Sequence, residues 1–315
     1  MTDSAARALV TGGAGFIGSH LVDRLLAGGY RVCVVDDLST GSPSNVAPEV
    51  RFQRLDICDS VSLGDVLGGF RPEVVYHAAA QTDVRRSIRE PDFDARVNVL
   101  GALNVLRAAV AAGARRIIYA SSAAVYGDPE RLPVSEADPT RPISEYGASK
   151  LAFEHYLRAH AARGLIEYAV LRYGNVYGPR QRGDGEAAVV ATFTRRMIAG
   201  EPVTIFGDGT KTRDYVYVGD VVEATMRAAA GPSGVVANVG WGREVSDLEL
   251  FRAVAAGTGY TKEPTHAADR RGDIARIALD PAVARRAWDW RASTPLADGV
   301  RRVVEHARAT LEPAR

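Results

Sequence analysis

Cysteine is scarce in this chain of 315 residues, which contains two, Cys33 and Cys58. Their positions follow neither the spacing of a metal site nor that of a disulfide framework. The sequence therefore predicts no metal centre and no disulfide. Two isolated thiols are typical of a protein in the reducing cytoplasm, which is where we expect this one.

The chain also has little net charge, no long apolar run and no leader pattern. The formal net charge is +1 and the arginine pairs are spread along the sequence, which argues against nucleic acid or an anionic membrane surface as a partner. No apolar run reaches the roughly 18 residues of a membrane helix. The opening residues, MTDSAARALV, lack the basic and apolar regions of a secretion signal. We therefore expect neither secretion nor membrane insertion.

Glycine, in contrast, is abundant, and its most informative cluster lies in residues 8–20, ALVTGGAGFIGSH. An apolar run leads into Gly13, Gly15 and Gly18, and an apolar helical pattern follows. A dinucleotide pyrophosphate can approach a helix N-terminus only where side chains are absent. An acid, Asp36, follows the next apolar run, about 20 residues further on, as dinucleotide sites require. This context predicts a dinucleotide site, because an ordinary glycine-rich loop would lack it.

Strand and helix patterns alternate through the first half of the chain, and this order predicts a parallel sheet. After the strand that precedes the glycine turn, the expected strands are Arg31–Asp36, Val50–Asp56, Val74–Ala78, Arg116–Ser121 and Glu167–Arg172. The expected helices between them are Val61–Leu67, Phe93–Ala112 and Tyr146–Arg163. The near-continuous apolar strands indicate burial on both faces. We therefore predict an α/β fold, a doubly wound parallel sheet of the Rossmann type.

The second half of the chain is more irregular, with glycine- and proline-bearing segments. We expect residues 1–174 to form the dinucleotide-binding domain and residues 175–315 to form a smaller lobe over the strand exits. A helical pattern at Val221–Ala230 and a strand pattern at Val235–Val239 interrupt that lobe. Residues 216–240 are therefore expected to rejoin the sheet, so that the two parts are interleaved in sequence.

Small and polar residues follow the predicted strands, at the edge of the sheet where ligands of open α/β folds lie. The alanine run Ala78–Ala80 leaves room for a flat cofactor. Asp36 is placed to accept hydrogen bonds from ribose hydroxyls, and a carboxylate there disfavours a 2′-phosphate. The sequence therefore predicts NAD rather than NADP.

Tyr146 and Lys150 provide the first indication of chemistry. They lie four residues apart in a predicted helix, so phenol and ammonium share one face, and the chain contains only three lysines. Ser122, at the exit of a strand, is the expected third member and would hold the reacting hydroxyl. Alone, this serine would indicate only a strand-end turn. The alternative for the other two is a surface tyrosine beside a salt-bridging lysine, but the scarcity of lysine makes a chance Tyr-x-x-x-Lys match rare. Because an ammonium and a cationic nicotinamide both favour a phenolate, Tyr146 is the expected base.

Five motifs, in this order and spacing, resemble those of a known family. They are TGGAGFIG, HAAAQ, SSAAVYG, YGASK and RYGNVYGPRQ. With them the chain resembles the extended short-chain dehydrogenase/reductase superfamily, and within it the NAD-dependent nucleotide-sugar epimerases. The resemblance continues through TIFGDGTKTRDYVYVGD and RRGDIARIALD into the C-terminal lobe. It implies Ser122, Tyr146 and Lys150 as the catalytic residues.

The resemblance also implies the residues that bind the cofactor and the substrate. For NAD they are Gly12, Gly15, Phe16, Ile17, Gly18, Asp36, Asp37, Asp56, Ile57, Ala78, Ala79, Gln81, Asn98, Tyr146, Lys150 and Tyr173. For the nucleotide sugar they are Ser122, Asn175, Val189, Arg213, Arg270, Asp273 and Ile277. Two arginines suit a diphosphate because a guanidinium can bind phosphate at two points, although composition alone favours surface ion pairs at these positions.

The reaction that the resemblance implies is C4 epimerisation, with UDP-glucose and UDP-galactose as the expected pair. Tyr146 would take the proton of the sugar 4-hydroxyl as hydride passes from C4 to NAD, and hydride would return to the opposite face of the turned keto sugar. The family often forms homodimers through two helices of each subunit, here the predicted helices at 93–112 and 146–163.

Related activities remain alternatives. Sugar dehydratases of the superfamily carry Asp-Glu after the catalytic residue, and related decarboxylases carry Glu there; Ala123 and Ala124 at these positions favour simple epimerisation. A uronic-acid 4-epimerase stays open, as does a non-catalytic NAD-binding sensor, although such sensors usually lack the Tyr/Lys pair. Ile277 occupies the expected position of a size gate and is smaller than the tyrosine of glucose-restricted members, which predicts that N-acetylated hexoses are also accepted.

Overall fold

The chain is built around one seven-stranded parallel sheet. The computed structural model describes residues 5–183, 188–269 and 274–311. Its strands are β1 Arg7–Thr11, β2 Arg31–Asp36, β3 Arg51–Arg54, β4 Val74–His77, β5 Arg116–Ser122, β6 Glu167–Tyr173, β7 Asn175–Tyr177, β8 Thr204–Phe206, β9 Thr212–Arg213, β10 Tyr215–Tyr217, β11 Val235–Val239, β12 Val245–Ser246 and β13 Thr265–Ala267. Its helices are α1 Phe16–Ala27, α2 Ser60–Phe70, α3 Val84–Arg89, α4 Pro91–Ala95, α5 Ala102–Ala111, α6 Glu145–Ala162, α7 Val189–Ile198, α8 Val218–Ala230, α9 Asp247–Thr258, α10 Ala282–Trp288 and α11 Leu296–Leu311.

The order of the strands creates a crevice at the centre of the sheet. The sheet runs β3, β2, β1, β4, β5, β6, β11, and every neighbouring pair is parallel. The chain moves outward in one direction from β1 to β3 and then in the other from β4, so the order reverses between β1 and β4. Ligands of open α/β sheets bind at such a reversal, outside the carboxyl ends of the strands. The predicted doubly wound fold is confirmed.

Two hydrophobic layers cover the two faces of the sheet. Leu9 and Val75 point into the layer formed with α2, α5 and α6, whereas Val10 and Tyr76 point into the layer formed with α1 and α8. Successive side chains of a strand alternate between faces, so strands that are apolar throughout can supply both layers. This is the physical reason for the near-continuous apolar runs in the sequence.

Several elements differ in extent from the sequence-based expectation. The helix expected at Phe93–Ala112 consists of α4, a wider π-helical stretch at Arg96–Gly101, and α5. Strand β3, at the edge of the sheet, keeps four residues in register with β2 and ends before Asp56. Strand β11, in contrast, has the expected bounds, and it pairs with β6 along its full length, from Val235 to Val239.

The C-terminal elements pack onto the sheet rather than forming a separate core. Helices α7, α9 and α11 contribute residues to the same cluster as α1 and α8, for example Phe193, Phe251 and Val300. The segments around these helices contain short two-stranded pairs, which are β7 with β10, β9 with β12 and β8 with β13. No helix in the described ranges is both long and apolar enough to cross a membrane.

Candidate active site

The glycine turn after β1 forms a backbone cradle at the start of α1. Gly12 has a φ of +72°, and a Cβ there would lie 2.7 Å from the amide nitrogen of Ala79. A Cβ on Gly18 would lie 2.1 Å from the carbonyl oxygen of Gly12. Gly13 is different, because its Cβ would meet the side chain of Val34 in the core. The close approach that excludes side chains therefore rests on Gly12 and Gly18.

The N-terminus of α1 has no side-chain cap, unlike those of α2, α6 and α9. Its N-cap residue is Gly15, and its first turn contains no acid. Asp59, Ser144 and Ser246 cap the other three helices by accepting a backbone hydrogen bond. The first-turn N–H groups of a helix have no acceptor within the helix, so an uncapped start beside glycine suits a pyrophosphate. The cradle thus fits the dinucleotide predicted from the sequence.

Asp36 lies at the end of β2, next to this cradle, and is 7% exposed. Its Oδ2 accepts a hydrogen bond from Ala14 N at 2.9 Å, and its Oδ1 accepts one from Leu38 N at 2.8 Å. Burial raises the pKa of this carboxyl, while the two backbone hydrogen bonds oppose the shift. The carboxylate is therefore held at the position from which it can accept hydrogen bonds from ribose hydroxyls.

Most of the other predicted cofactor residues follow the ends of strands or lie in the first turn of α1, while Tyr173 ends β6. Ala78 and Ala79 are half-buried beside the end of β1, and Phe16 and Ile17 are half-buried on α1. Ile57 is buried. Two acids further out are engaged locally: Asp37 accepts from Ser39, and Asp56 accepts from the Cys58 amide. The Tyr173 hydroxyl is hydrogen-bonded to Thr225 on α8, 3.0 Å away, so it points into the core.

Ser122, Tyr146 and Lys150 meet at the carboxyl end of β5. Ser122 is the last residue of that strand, and its Oγ accepts from Ala124 N at 3.1 Å. It lies close enough to Tyr146, in the first turn of α6, to oppose the rise in the pKa of the phenol. Lys150 lies one turn further along α6, is 3% exposed, and donates to the Ala120 carbonyl at 2.9 Å. Its Nζ is 5.8 Å from the centroid of the Tyr146 ring. The three residues predicted to be catalytic are therefore neighbours.

A glycine brings the helix this close to the strand end. Gly147 follows Tyr146, and a Cβ at this position would lie 2.5 Å from the Ala124 carbonyl oxygen. Ser144 caps the same helix by accepting from the Gly147 amide at 3.2 Å. The motif YGASK therefore combines a reactive pair with the backbone space that the pair needs.

Burial dominates the proton affinities of the pair. It raises the pKa of Tyr146 to about 12, and the nearby Ser122 side chain opposes this rise. It lowers the pKa of Lys150 to about 8, and the charges of Asp94 and Glu154 oppose this fall. In the chain alone, desolvation therefore outweighs the effect of Ser122, which favours the phenolate. The expectation that the ammonium and the nicotinamide together favour a phenolate stays a prediction. A phenolate requires a further positive charge beside Tyr146.

Asp94 organises two of the predicted cofactor residues, although no motif points to it. It is 1% exposed, and its Oδ1 accepts from Gln81 Nε2 at 2.9 Å and from Asn98 Nδ2 at 3.0 Å. Asn98 Nδ2 also lies 3.2 Å from Ser149 Oγ, next to Lys150. The spacing of four residues between Asp94 and Asn98 was the available sequence signal, since it places both on one helical face.

A buried ion pair lies beneath Lys150 and also carries no motif. Glu154, one turn beyond Lys150, accepts from Arg172 Nε at 3.1 Å and from Arg172 Nη2 at 2.7 Å. Its Oε1 also accepts from Ser121 Oγ at 2.6 Å. The two charged side chains are 2% and 6% exposed. The pair therefore fixes α6, β5 and β6 together directly under the residues predicted to be catalytic.

Apart from Ser122, the predicted substrate residues belong to the C-terminal half of the chain. Asn175 starts β7, and its backbone N–H donates to the Asp214 carbonyl at 2.7 Å. Arg213 is the last residue of β9 and directly precedes Asp214. Val189, the first residue of α7, is half-buried. Ile277 is 2% exposed and packs in a cluster rather than on an open wall. The remaining two predicted positions, Arg270 and Asp273, lie outside the described residues.

Known proteins resemble this chain along nearly its whole length. A family model described as the NAD dependent epimerase/dehydratase family matches residues 8–240. The UDP-glucose 4-epimerase of Mycolicibacterium smegmatis is 45% identical over 310 residues, which cover 96% of this chain and 98% of that protein.

Two solved structures extend the likeness to three dimensions. The UDP-glucose 4-epimerase of Thermotoga maritima, crystallised with UDP-glucose, superposes with a TM-score of 0.95 at 43% identity, covering 97% of this chain and 100% of its own. The UDP-glucose 4-epimerase of Thermus thermophilus, in complex with NAD, superposes with a TM-score of 0.92 at 43% identity and the same coverage. The likeness therefore includes the sheet and the C-terminal lobe.

Proposed function

Because this chain belongs to the NAD-dependent epimerase/dehydratase family, we propose that it interconverts UDP-glucose and UDP-galactose by inverting C4 of the sugar. The observation that carries the proposal is the meeting of Ser122, Tyr146 and Lys150 at the end of β5. The full-length similarity to proteins named UDP-glucose 4-epimerase supports the choice of nucleotide and sugar.

Each catalytic residue then has a distinct task. Tyr146 removes the proton from the sugar 4-hydroxyl, and its phenol returns a proton to the 4-oxygen after the keto sugar has turned. Ser122 donates a hydrogen bond to the same oxygen, and Lys150 supplies positive charge beside the phenol. The glycine cradle and Asp36 would hold NAD, which when bound would supply reversible hydride acceptance at C4 and a cationic ring beside Tyr146.

The remaining assignments form part of the same proposal. We assign residues 1–174 together with 216–240 to NAD binding and the rest of the chain to the nucleotide sugar, with Arg213 at the diphosphate. A homodimer through α5 and α6 is supported by two large side chains that are exposed on or beside these helices, Leu100 at 58% and Tyr156 at 42%. The free thiols of Cys33 and Cys58 suit a cytoplasmic location.

The test is an assay of the purified protein without added cofactor. Incubation with UDP-glucose should produce UDP-galactose, detected by proton NMR, while the ultraviolet spectrum of the protein shows bound nicotinamide. UDP-N-acetylglucosamine, UDP-glucuronic acid and dTDP-glucose are assayed in parallel. Turnover of UDP-glucuronic acid alone would replace the proposed substrate with a uronic acid. Complete inactivity on UDP-N-acetylglucosamine would contradict the prediction, made from Ile277, that N-acetylated hexoses are also accepted.

A further inference from the structure

The Tyr126 hydroxyl connects the buried ion pair to the opposite side of the site. It accepts a hydrogen bond from Arg172 Nη1 at 2.9 Å and donates one to Asn238 Oδ1 at 2.7 Å. The Arg172 guanidinium also lies 4.9 Å from the centroid of the Tyr126 ring. Tyr126 is 2% exposed and Asn238 is fully buried. Burial raises the pKa of Tyr126 to about 12, so its hydroxyl keeps the proton that it donates to Asn238.

Asn238 in turn holds the segment that contains Ile277. Its Nδ2 donates to the Val134 carbonyl at 2.9 Å and to the Asp280 carbonyl at 3.3 Å. Val134 pairs with Leu279 through two backbone hydrogen bonds, Val134 N to Ala278 O and Asp280 N to Val134 O, both 2.8 Å. Asn238 therefore fixes the position of residues 277–280 relative to β11 and to the loop at Val134.

The ring of Tyr126 contacts the same region by packing. Tyr126 and Ile277 belong to one small buried cluster with Ala123, Val125, Val134 and Leu279. Tyr126 also ends the short turn that begins directly after the catalytic Ser122. The Tyr126 side chain thus connects three parts of the molecule. These are the turn that follows Ser122, the Glu154–Arg172 ion pair, and residues 277–280.

We propose that Tyr126 is a positioning residue, which fixes residues 277–280 relative to Ser122 and Lys150 and thereby sets the affinity for the sugar nucleotide but not for NAD. The proposal rests on the proposed function, in which this segment flanks the sugar. The glycine cradle and Asp36 share no hydrogen bond with Tyr126 in the described part of the chain, so we expect the loss of its hydroxyl to leave this part of the cofactor site unchanged.

The test compares Tyr126→Phe with a matched control, Tyr76→Phe. Tyr76 is 1% exposed in β4, and its hydroxyl has no hydrogen-bond partner among the described residues, so its loss should change nothing. Tyr126→Phe removes a hydroxyl with two buried partners, which should raise the KM for UDP-glucose about five- to thirtyfold. The kcat should stay within about threefold, and the NAD content should equal that of the wild type.

Hydrogen exchange, read by mass spectrometry, measures the positioning without relying on turnover. Tyr126→Phe should accelerate exchange in peptides that cover residues 277–280 and leave the glycine turn unchanged, whereas Tyr76→Phe should match the wild type in both. Unchanged exchange in that segment, or an unchanged KM in an active enzyme, overturns the proposal. So does a parallel loss of kcat and NAD content, which would mark a general structural defect. Failure of the wild type to convert UDP-glucose counts against the proposed function. In that case the hydrogen-exchange result alone tests whether Tyr126 positions residues 277–280.

Discussion

Replacing Lys150 with Met should make the protein more stable at neutral pH while nearly abolishing turnover. Burial lowers the pKa of Lys150 from its ordinary value of 10.5 to about 8. At about 1.4 kcal/mol per pH unit, this lowering corresponds to about 3 kcal/mol by which the buried ammonium destabilises the fold. Met has a similar shape and carries no charge. It also loses the hydrogen bond to Ala120, which contributes about 1 kcal/mol, so the net gain at neutral pH is about 2 kcal/mol.

The direction of the pH dependence follows from proton binding. A base whose pKa is lower in the folded chain than in the unfolded chain holds fewer protons when folded, here between about pH 8 and 10.5. The stability of the wild type therefore rises, relative to the variant, as pH increases through this window. The destabilisation by the ammonium is fully present below the window and is gone above it. The advantage of the variant should change by about 3 kcal/mol across the window.

Urea denaturation at several pH values measures this difference. Wild type and Lys150→Met are compared with Lys262→Met, which removes an exposed lysine whose ammonium donates to the Gly200 carbonyl at 2.8 Å. The Lys150 variant should also lose turnover by about a hundredfold or more. A difference in unfolding free energy between wild type and Lys150→Met that does not vary with pH would refute the reasoning. It would mean that the lysine is not desolvated in the folded protein.

Three further changes test other parts of the site. Tyr146→Phe should lower kcat by about a hundredfold or more while NAD stays bound, and near wild-type turnover would exclude Tyr146 as the base. Gly18→Ala places a Cβ 2.1 Å from the Gly12 carbonyl oxygen. The affinity for NAD should therefore weaken about tenfold or more, and the NAD content of the purified protein should fall. Full NAD content would show that the cradle is not the cofactor site. Glu154→Gln leaves Arg172 buried without its counter-charge and should cost about 3–5 kcal/mol by urea denaturation, against at most about 0.5 kcal/mol for Glu90→Gln in an exposed pair with Arg86. Equal losses of unfolding free energy in Glu154→Gln and Glu90→Gln would contradict the burial of the Glu154–Arg172 pair.

The fold was accessible from sequence because its signals are local. Strands that are apolar throughout, glycine turns and helical periodicity each occupy a few consecutive residues, and their alternation predicts the parallel sheet that is observed. The family predicted from five short motifs is also confirmed, and each of these motifs is likewise a run of consecutive residues. The boundaries were less accessible, because they depend on neighbours: β3 keeps only the four residues that pair with β2, and the helix expected at Phe93–Ala112 widens into a π-helix around Asn98.

The surroundings of the catalytic residues could not be predicted in the same way. Glu154 and Arg172 are 18 residues apart, and Tyr126 and Asn238 are 112 apart, so no local pattern joins them. Their contacts exist only because α6, β5, β6 and β11 come together in the sheet. The same separation in sequence explains why the desolvation of the phenol was not predicted. The motif shows the ammonium beside Tyr146 but not the burial, which raises the pKa of the phenol to about 12.

The buried charges around the catalytic site determine when Tyr146 can act as a base. Two cations, Lys150 and Arg172, lie among two carboxylates, Asp94 and Glu154, so these four groups already balance. A phenolate at Tyr146 would add an uncompensated negative charge in a poorly solvated place, which is costly. The residues of the chain therefore hold Tyr146 as a neutral phenol. In the proposed mechanism, Tyr146 becomes a base only when the nicotinamide adds a further positive charge to that of Lys150, so proton removal from the sugar would be restricted to the complex that can also accept the hydride.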